Sequence, residues 1–149
     1  MGSCLGTIKD AVDELREESD LKIGVVGVKC FRPFPVEVMG EALEGAKTVV
    51  VLERTLAVGS GGVLSRDIMV SLKDPNVARY TVIAGLGGRA ITKASLKKML
   101  KDAAAHQLEA LTFMDLNKEL VERQLERERK TRKSGPVPEA LIRDAAMHQ

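Results

Sequence analysis

Apolar residues occur in short runs separated by glycine, proline and charged residues, and three of these runs predict β-strands. The runs are Lys22–Val28, Thr48–Leu52 and Tyr80–Ala84. All are rich in β-branched residues, which favour extended backbone. The run Thr48–Leu52 has no polar alternation, which is typical of a central strand in a parallel sheet, covered on both faces. We therefore expect three strands, with Thr48–Leu52 in the interior of the sheet.

Each expected strand is followed by a segment with the three- and four-residue apolar spacing of a helix. Pro35 suits the first turn of the first helix, and Thr92 suits the N-cap of the third. The apolar faces consist of Val36, Met39 and Leu43, then Leu64, Ile68 and Leu72, then Leu96, Met99 and Leu100. Alternating strands and helices predict an α/β fold: a three-layer helix–sheet–helix sandwich with a mainly parallel sheet.

The N-terminal segment departs from this alternation. Thr7–Asp10 resembles a capping box, so a helix is expected to begin there. In a βα repeat such a helix follows a strand, and Met1–Ser3 is therefore expected to be the tail of a strand whose body lies before residue 1. Without that strand the edge beside Lys22–Val28 would be open, and an open edge favours self-association.

The C-terminal part is strongly charged. Leu111–Met114 is a candidate edge strand, and Asp115 or Asn117 is a candidate cap for a helix from Leu116 to about Arg132. Glutamate and arginine side chains four residues apart support that helix.

This charge contrast predicts an α/β domain at residues 1–114 and a charged helical tail at residues 115–149. The tail includes a short amphipathic segment, Glu139–Gln149, after a Gly/Pro break. Two interpretations remain open for the charged helix: a solvated helix on its own domain, or an arm on a partner subunit.

Composition excludes several classes of function. The 149 residues are 44% apolar and 30% charged, which is ordinary for a globular protein. Only 3% are aromatic and the net charge is +2, so neither base stacking nor a clustered basic surface favours nucleic acid as a partner. The sequence shows no signal peptide and no apolar run of about 20 residues, so we expect a cytoplasmic protein without a membrane partner.

The metal-ligating residues are few. Cys4 and Cys30 lack zinc-type spacing, and an iron–sulfur cluster takes about four cysteines. We expect both cysteines to be small buried hydrophobic residues. No metal ligand, catalytic residue or cofactor-binding residue is assigned.

Two glycine-rich loops are candidate phosphate sites. Gly85–Ala90 matches G-x-G-x-x-A between a strand and a helix, but it follows the third strand rather than the first. Gly59–Gly62 lacks the lysine and hydroxyl residue of a phosphate loop, which favours a close-packed turn over a nest of N–H donors. A free-standing nucleotide- or phosphate-binding module using one of these loops remains an alternative.

Other unusual residues favour an interface. Glu53 and Arg54 end the second strand, where an ion pair or an intersubunit contact is more common than a catalytic pair. Phe31–Pro35 is either a helix-entry loop or an interface hot spot of aromatic and arginine side chains. The interface candidates are Phe31, Arg32, Phe34, Glu53, Arg54 and Arg89.

Four strings together carry a family resemblance: Gly2–Thr7, Val28–Pro35, Val51–Arg54 and Ile83–Arg89. In order and spacing they resemble the C-terminal part of the alpha subunit of pyruvate (2-oxoacid):ferredoxin oxidoreductase. That part is similar to the transketolase C-terminal domain.

The resemblance implies an enzyme that oxidatively decarboxylates a 2-oxoacid to acyl-CoA with ferredoxin as electron acceptor. It also implies thiamine diphosphate and [4Fe–4S] clusters held by other domains and subunits, with no cofactor bound by this chain. The chain would then be an assembly domain, inactive alone, with the rest of the oxidoreductase as its partner. The C-terminal domain of another thiamine diphosphate enzyme is the remaining alternative.

Overall fold

The computed structural model describes residues 2–131 of the chain, which divides into two compact units, residues 1–115 and 116–149. The expected segment Glu139–Gln149 lies outside the described residues. In chain order the first unit contains α1 (Cys4–Glu18), α2 (Val36–Ala42), β1 (Thr48–Glu53), α3 (Val63–Ser71), β2 (Ala78–Ile83), α4 (Lys93–Ala104) and β3 (Leu111–Phe113). The described part of the second unit contains α5 (Lys118–Thr131).

The sheet is parallel, in the order β1-β2-β3. Glu53 at the end of β1 lies opposite Ile83 at the end of β2. The central strand is β2, where Val82 and Ile83 are at most 1% exposed. The α/β prediction is confirmed, but the interior position predicted for Thr48–Leu52 is wrong, because β1 pairs with β2 alone within the described residues. An apolar run indicates that both faces of a strand are covered, but it does not indicate whether other strands pair with its two edges.

Alternate residues of β1 enter two separate cores. Val49 and Val51 pack with residues of α2 and α3 on one face, whereas Val50 and Leu52 pack against the core on the other face, which α1 and α4 supply. The buried members of the first core are Val28, Met39, Val49, Val51, Leu64, Ile68 and Val77, and those of the second are Ala11, Val82, Leu96 and Met99. Helices therefore cover both faces of the sheet, as the three-layer prediction requires.

The strand predicted at Lys22–Val28 is not formed. No strand pairing joins residues 20–31 to the sheet, although exposure alternates along the segment: Ile23, Val25 and Gly27 are half-buried, while Lys22, Gly24 and Val26 are exposed. Side-chain composition favours an extended backbone, but a strand also needs a partner for its N–H and C=O groups. The strand pairing predicted for Lys22–Val28 is therefore wrong within the described residues.

The N-terminal helix begins earlier than predicted. It starts at Cys4, so Thr7 lies inside α1 and the proposed capping box is wrong. The physical reason is Leu5, which shares the buried side of α1 and lies against Gly27. Gly2 and Ser3 are not the tail of a strand, because φ is +83° at Gly2 and Ser3 has helical dihedral angles.

Two predicted helix caps are present. Thr92 Oγ1 accepts a hydrogen bond from the Ser95 N–H at 3.1 Å, which confirms the cap of α4. Of the two candidates at α5, Asn117 provides the cap, since its Oδ1 accepts from the Leu120 N–H at 3.0 Å.

The cysteines differ from the prediction that both are buried. Cys4 is half-buried and Cys30 is exposed. The Cys30 thiol donates to the Pro33 carbonyl oxygen at 3.3 Å.

Candidate functional site

The carboxylate of Glu53 caps helix α3 from the end of strand β1. Its Oε2 accepts hydrogen bonds from the N–H groups of Val63 and Leu64 at 2.8 and 2.9 Å. Its Oε1 accepts from the N–H and the hydroxyl of Ser65 at 3.1 and 2.5 Å. The first N–H groups of a helix have no partner within the helix, and the helix dipole favours negative charge there. A half-buried carboxylate therefore satisfies four donors at once.

Of the two expectations for Glu53 and Arg54, the intersubunit contact stays a prediction and the ion pair between them is not formed. Among the ion pairs of the described residues there is none between these two side chains. The sequence pattern that could have predicted this cap has two parts. A glutamate ends a strand, and a later glycine directly precedes a helix whose third residue is a serine. Sequence reasoning missed it because donor and acceptor are ten to twelve residues apart.

Gly62 makes the cap possible. It is buried directly beside the carboxylate, and a Cβ there would overlap Glu53 Oε1 and lie 2.6 Å from Ser65 Oγ. The preceding loop closes on itself, because the Ala57 N–H donates to the Gly61 oxygen at 2.7 Å and the Gly61 N–H donates back to the Ala57 oxygen at 2.9 Å. Gly59 and Gly61 both have φ near +80°, a region that other residues rarely adopt. The loop is thus a hydrogen-bonded turn, and its close packing is confined to Gly62.

The end of β1 also lines a cleft of about 350 Å³. Three of the candidate interface residues, Phe31, Glu53 and Arg54, meet there. The other lining residues are Cys4, Leu52, Thr55, Val63, Leu64 and Ile91. The walls are mainly apolar, with the exposed Arg54 as the lining cation. Such a cleft suits an apolar side chain of another protein segment together with an acceptor for the guanidinium.

The second glycine loop begins beside two residues that line the cleft, Arg54 and Ile91. Gly85 has φ +71°, and a Cβ there would lie 3.3 Å from Arg54 Nε and 3.2 Å from Ile91. A side chain at this position would therefore press on Arg54. Arg89, at the end of the same loop, donates from Nη1 to the Asp115 carbonyl oxygen. Arg89 lies on the loop but is not among the residues that line the cleft.

The remaining candidates have partners within the chain. Arg32 binds Asp67 of α3 at 2.8 Å, and its guanidinium lies 4.0 Å from the centre of the Phe31 ring. Phe34 packs against the core on the α2–α3 face. These contacts fix the entry to α2, and the role of Phe31, Arg32 and Phe34 in an interface stays a prediction.

Known metal-site patterns are absent from the part of the chain that the structure describes: no group of three or more His, Cys, Asp or Glu side chains could hold a metal ion there. Of the two histidines, His106 lies with Nδ1 3.2 Å from the Tyr80 hydroxyl, and His148 is outside the described residues. None of the helices within residues 2–131 is long and apolar enough to span a bilayer.

Comparison with known proteins gives a consistent result. Residues 1–96 match the profile of a family described as pyruvate:ferredoxin oxidoreductase core domain II. This stretch includes α1 to α3, β1, β2 and all residues of the cleft.

Curated relatives are similar over most of the chain. It is 39% identical over 129 residues to the pyruvate synthase subunit PorA of Methanosarcina barkeri, which covers 81% of this chain and 32% of that protein. It is 40% identical over 106 residues to the ketoisovalerate oxidoreductase subunit VorA of Pyrococcus furiosus, which covers 68% of this chain and 26% of that protein. It is 40% identical over 107 residues to the pyruvate synthase subunit PorA of Thermotoga maritima, which covers 69% of this chain and 26% of that protein. The chain thus spans about a quarter to a third of the length of these relatives.

Proposed function

Because the chain belongs to the pyruvate:ferredoxin oxidoreductase core domain II family, we propose that it is a structural and assembly domain of the alpha subunit of a 2-oxoacid:ferredoxin oxidoreductase. The observation that carries this proposal is the family match over residues 1–96, which includes both faces of the sheet and the cleft. The complete enzyme oxidatively decarboxylates a 2-oxoacid to acyl-CoA and passes the electrons to ferredoxin in the cytoplasm. Relatives named for pyruvate and for ketoisovalerate support 2-oxoacids as the substrate class, with pyruvate as the first candidate.

The residues of this chain do not fit the cofactors of such an enzyme. A [4Fe–4S] cluster takes about four cysteine thiolates, and the chain has two cysteines. A diphosphate bound at a helix N-terminus needs unoccupied N–H donors, whereas the N–H groups at the start of α3 donate to Glu53. Thiamine diphosphate and the clusters therefore belong to other parts of the enzyme, and the chain alone is inactive.

The same contacts weigh against a phosphate-binding module. A phosphate at the Gly59–Gly62 loop would have to displace the Glu53 carboxylate from four hydrogen bonds. At the Gly85 loop, α4 does not begin until Lys93, and its first turn is capped by Thr92. Neither loop offers the exposed helix N-terminus of a nucleotide site.

The cleft is the proposed place of contact with the rest of the enzyme. It combines the aromatic ring of Phe31, the aliphatic side chains of Leu52 and Ile91 and the guanidinium of Arg54. Aromatic and arginine side chains beside an apolar pocket are typical of the residues that contribute most to protein interfaces. The carboxyl ends of parallel strands are also where α/β folds place their contacts with other molecules.

The test is to purify the tagged chain from cells that produce it and to assay whatever copurifies. We expect ferredoxin reduction that depends on CoA and on pyruvate or ketoisovalerate, and we expect none from the isolated 149-residue chain. Arg54→Ala should reduce recovery of the copurifying subunits, whereas Arg66→Ala, which removes an exposed arginine outside the cleft, should not. An assembly without 2-oxoacid activity, or an active isolated chain, would contradict the proposal.

A further inference from the structure

Two arginines lie at the carboxyl edge of the sheet, and neither forms an ion pair with a carboxylate of the described residues. Arg54 follows the end of β1 and lines the cleft. Arg89 ends the loop that follows β2, and its Nη1 donates to a backbone oxygen, the carbonyl of Asp115. Because β1 and β2 end side by side, both guanidinium groups belong to the same edge of the domain.

The acid that lines the cleft does not balance this charge. Both carboxylate oxygens of Glu53 accept hydrogen bonds from donors at the start of α3, where the helix dipole also favours negative charge. Arg32, the neighbour of the cleft residue Phe31, is already paired with Asp67. A guanidinium keeps its charge and has several N–H donors. Arg54 therefore presents an uncompensated cation beside an apolar wall.

The two loops that leave this edge also expose aliphatic side chains. Val58 in the first loop is 97% exposed, and Leu86 in the second is 42% exposed. Single exposed aliphatic residues are common on protein surfaces, but these two stand on the loops on either side of Arg54 and the cleft. A small molecule in the cleft would leave both exposed, whereas a polypeptide laid along the edge would cover them.

We propose that the cleft binds an acidic and apolar segment of another subunit or domain of the oxidoreductase. An aliphatic or aromatic side chain of that segment enters the cleft, and a neighbouring aspartate or glutamate binds the guanidinium of Arg54. A further carboxylate of the segment binds the remaining donors of Arg89. The inference rests on the proposed function, in which the cleft contacts the rest of the enzyme, and it adds the chemistry of the partner.

Charge complementarity selects this occupant over the alternatives. A basic segment would bring like charges together at Arg54, which is costly in an interface. A neutral apolar segment would bury the guanidinium without an acceptor, and an unsatisfied buried donor is also costly. A second copy of the same edge would place arginine against arginine. A carboxylate forms charge-assisted, bidentate hydrogen bonds with arginine and so compensates for the loss of water.

The test uses a lysine at position 54 and a carbodiimide, which couples an amine to a carboxylate that lies against it. Arg54→Lys keeps the positive charge, and the assembly that copurifies with this tagged variant is cross-linked, digested and analysed by mass spectrometry. Arg66→Lys, which changes an exposed arginine outside the cleft, is the matched control. We expect residue 54 to be coupled to an aspartate or glutamate beside an apolar residue in another part of the oxidoreductase. Residue 66 should not be coupled to that segment.

Charge reversal provides a second measurement. Arg54→Glu should lower the recovery of the copurifying subunits by about tenfold or more, and Arg54→Lys should retain most of it. Recovery with the parent chain should fall as salt is added, because salt screens the attraction between the charges. Since Arg54 is exposed, the circular dichroism spectrum and Tm of each variant should match those of the parent, which separates loss of contact from loss of folding.

Three results would overturn the inference. The first is an assembly with 2-oxoacid activity that shows no cross-link at residue 54 and the same recovery with Arg54→Glu. The second is a cross-link to another copy of this chain. The third is a cross-link that added ketoisovalerate suppresses, because a free 2-oxoacid would then occupy the cleft. An acidic and apolar segment cross-linked in an assembly without 2-oxoacid activity would contradict the proposed function and support the chemistry inferred for the cleft.

Discussion

Two strand-to-helix junctions lie side by side at the carboxyl edge of the sheet, and they are built differently. The first runs from Glu53 to α3 and the second from Ile83 to α4, and these strand ends are paired in the sheet. Both loops are rich in glycine. In the first, the strand's last side chain reaches over the loop to cap the helix. In the second, Thr92 caps the helix from the adjacent position.

The difference determines how far a local change should spread. A cap from the adjacent residue orders one helical turn. A cap from the end of a strand connects the strand, the loop and the helix, and it requires buried glycine beside the carboxylate. The first junction should therefore be the more sensitive to substitution.

Removing the Glu53 carboxylate is expected to have the largest effect. Glu53→Ala leaves three N–H groups and the Ser65 hydroxyl without their acceptor in a partly buried position, and it should lower the free energy of unfolding by about 3 kcal/mol. Glu53→Gln should lower the free energy of unfolding by less than Glu53→Ala does, because an amide keeps one acceptor oxygen. Urea unfolding followed by circular dichroism measures both.

The matched control for this prediction is Glu44→Ala, which removes an exposed glutamate outside the junction. It should change the free energy of unfolding by less than about 0.5 kcal/mol. Equal effects of the Glu53 and Glu44 substitutions would show that the carboxylate cap contributes no stability.

Gly62→Ala is expected to have the next largest effect, a loss of about 2 kcal/mol. The new methyl group would overlap Glu53 Oε1 and displace the carboxylate from the helix. In a Glu53→Ala background the same substitution should cost much less, so the two changes should be strongly non-additive. Gly24→Ala, where a Cβ meets nothing within 4 Å, is the control. Additive effects of the two junction substitutions would contradict the proposed contact.

Removing the local cap of α4 is expected to have a smaller effect on stability. Thr92→Ala removes the acceptor of the Ser95 N–H and should cost about 1 kcal/mol in the free energy of unfolding. Thr92→Ser keeps the acceptor oxygen and should leave the free energy of unfolding nearly unchanged. If Thr92→Ala destabilised the protein as much as Glu53→Ala, the contrast between the two junctions would be lost.

The same contrast explains which features could be predicted from the sequence. Thr92 caps from the neighbouring position, so its role follows from local sequence alone. The faces of α3 and α4 follow from apolar spacing, and so does the burial of Met39 in α2, although Val36 of the predicted α2 face is exposed. The α/β class follows from the order of elements. All of these depend on residues within a few positions of one another.

The features that could not be predicted depend on distant groups. For Glu53 the adjacent Arg54 suggested an ion pair or an intersubunit contact, whereas its hydrogen-bond donors in the structure begin ten residues later. The strand predicted at Lys22–Val28 has the composition of a strand but no partner in the described structure. Thr48–Leu52 was placed inside the sheet because coverage of its faces and pairing at its edges give the same apolar run.

The smallest expected effect concerns Glu14, a glutamate of α1 that contacts the start of α4. Glu14 of α1 binds the Lys93 ammonium group at 2.5 Å and the Lys97 ammonium group at 3.2 Å. The hydrogen bond from Lys93, followed by that from Lys97, lowers the pKa of Glu14 from its usual value of 4.5, and the bond to Glu14 raises the pKa of Lys93 from 10.5. The side chains of Lys93 and Glu14 are 50% and 39% exposed, so water and salt weaken their pairing.

The pH dependence follows from the directions of these pKa shifts. A lowered carboxyl pKa contributes stability above the unfolded value near 4.5, and that contribution is lost as pH falls through the folded pKa. A raised lysine pKa contributes stability below about 10.5, and that contribution is lost as pH rises through the folded pKa. Lys93→Met should therefore differ from the parent protein most between these limits, and the difference should shrink with added salt. An NMR titration of the Glu14 carboxyl carbon should show its midpoint rising in Lys93→Met and remaining unchanged in Lys98→Met. If Lys93→Met left the midpoint unchanged, the Glu14 carboxylate would not be paired with Lys93 in solution. It would then differ from the Glu53 carboxylate, which is held by its hydrogen bonds to α3.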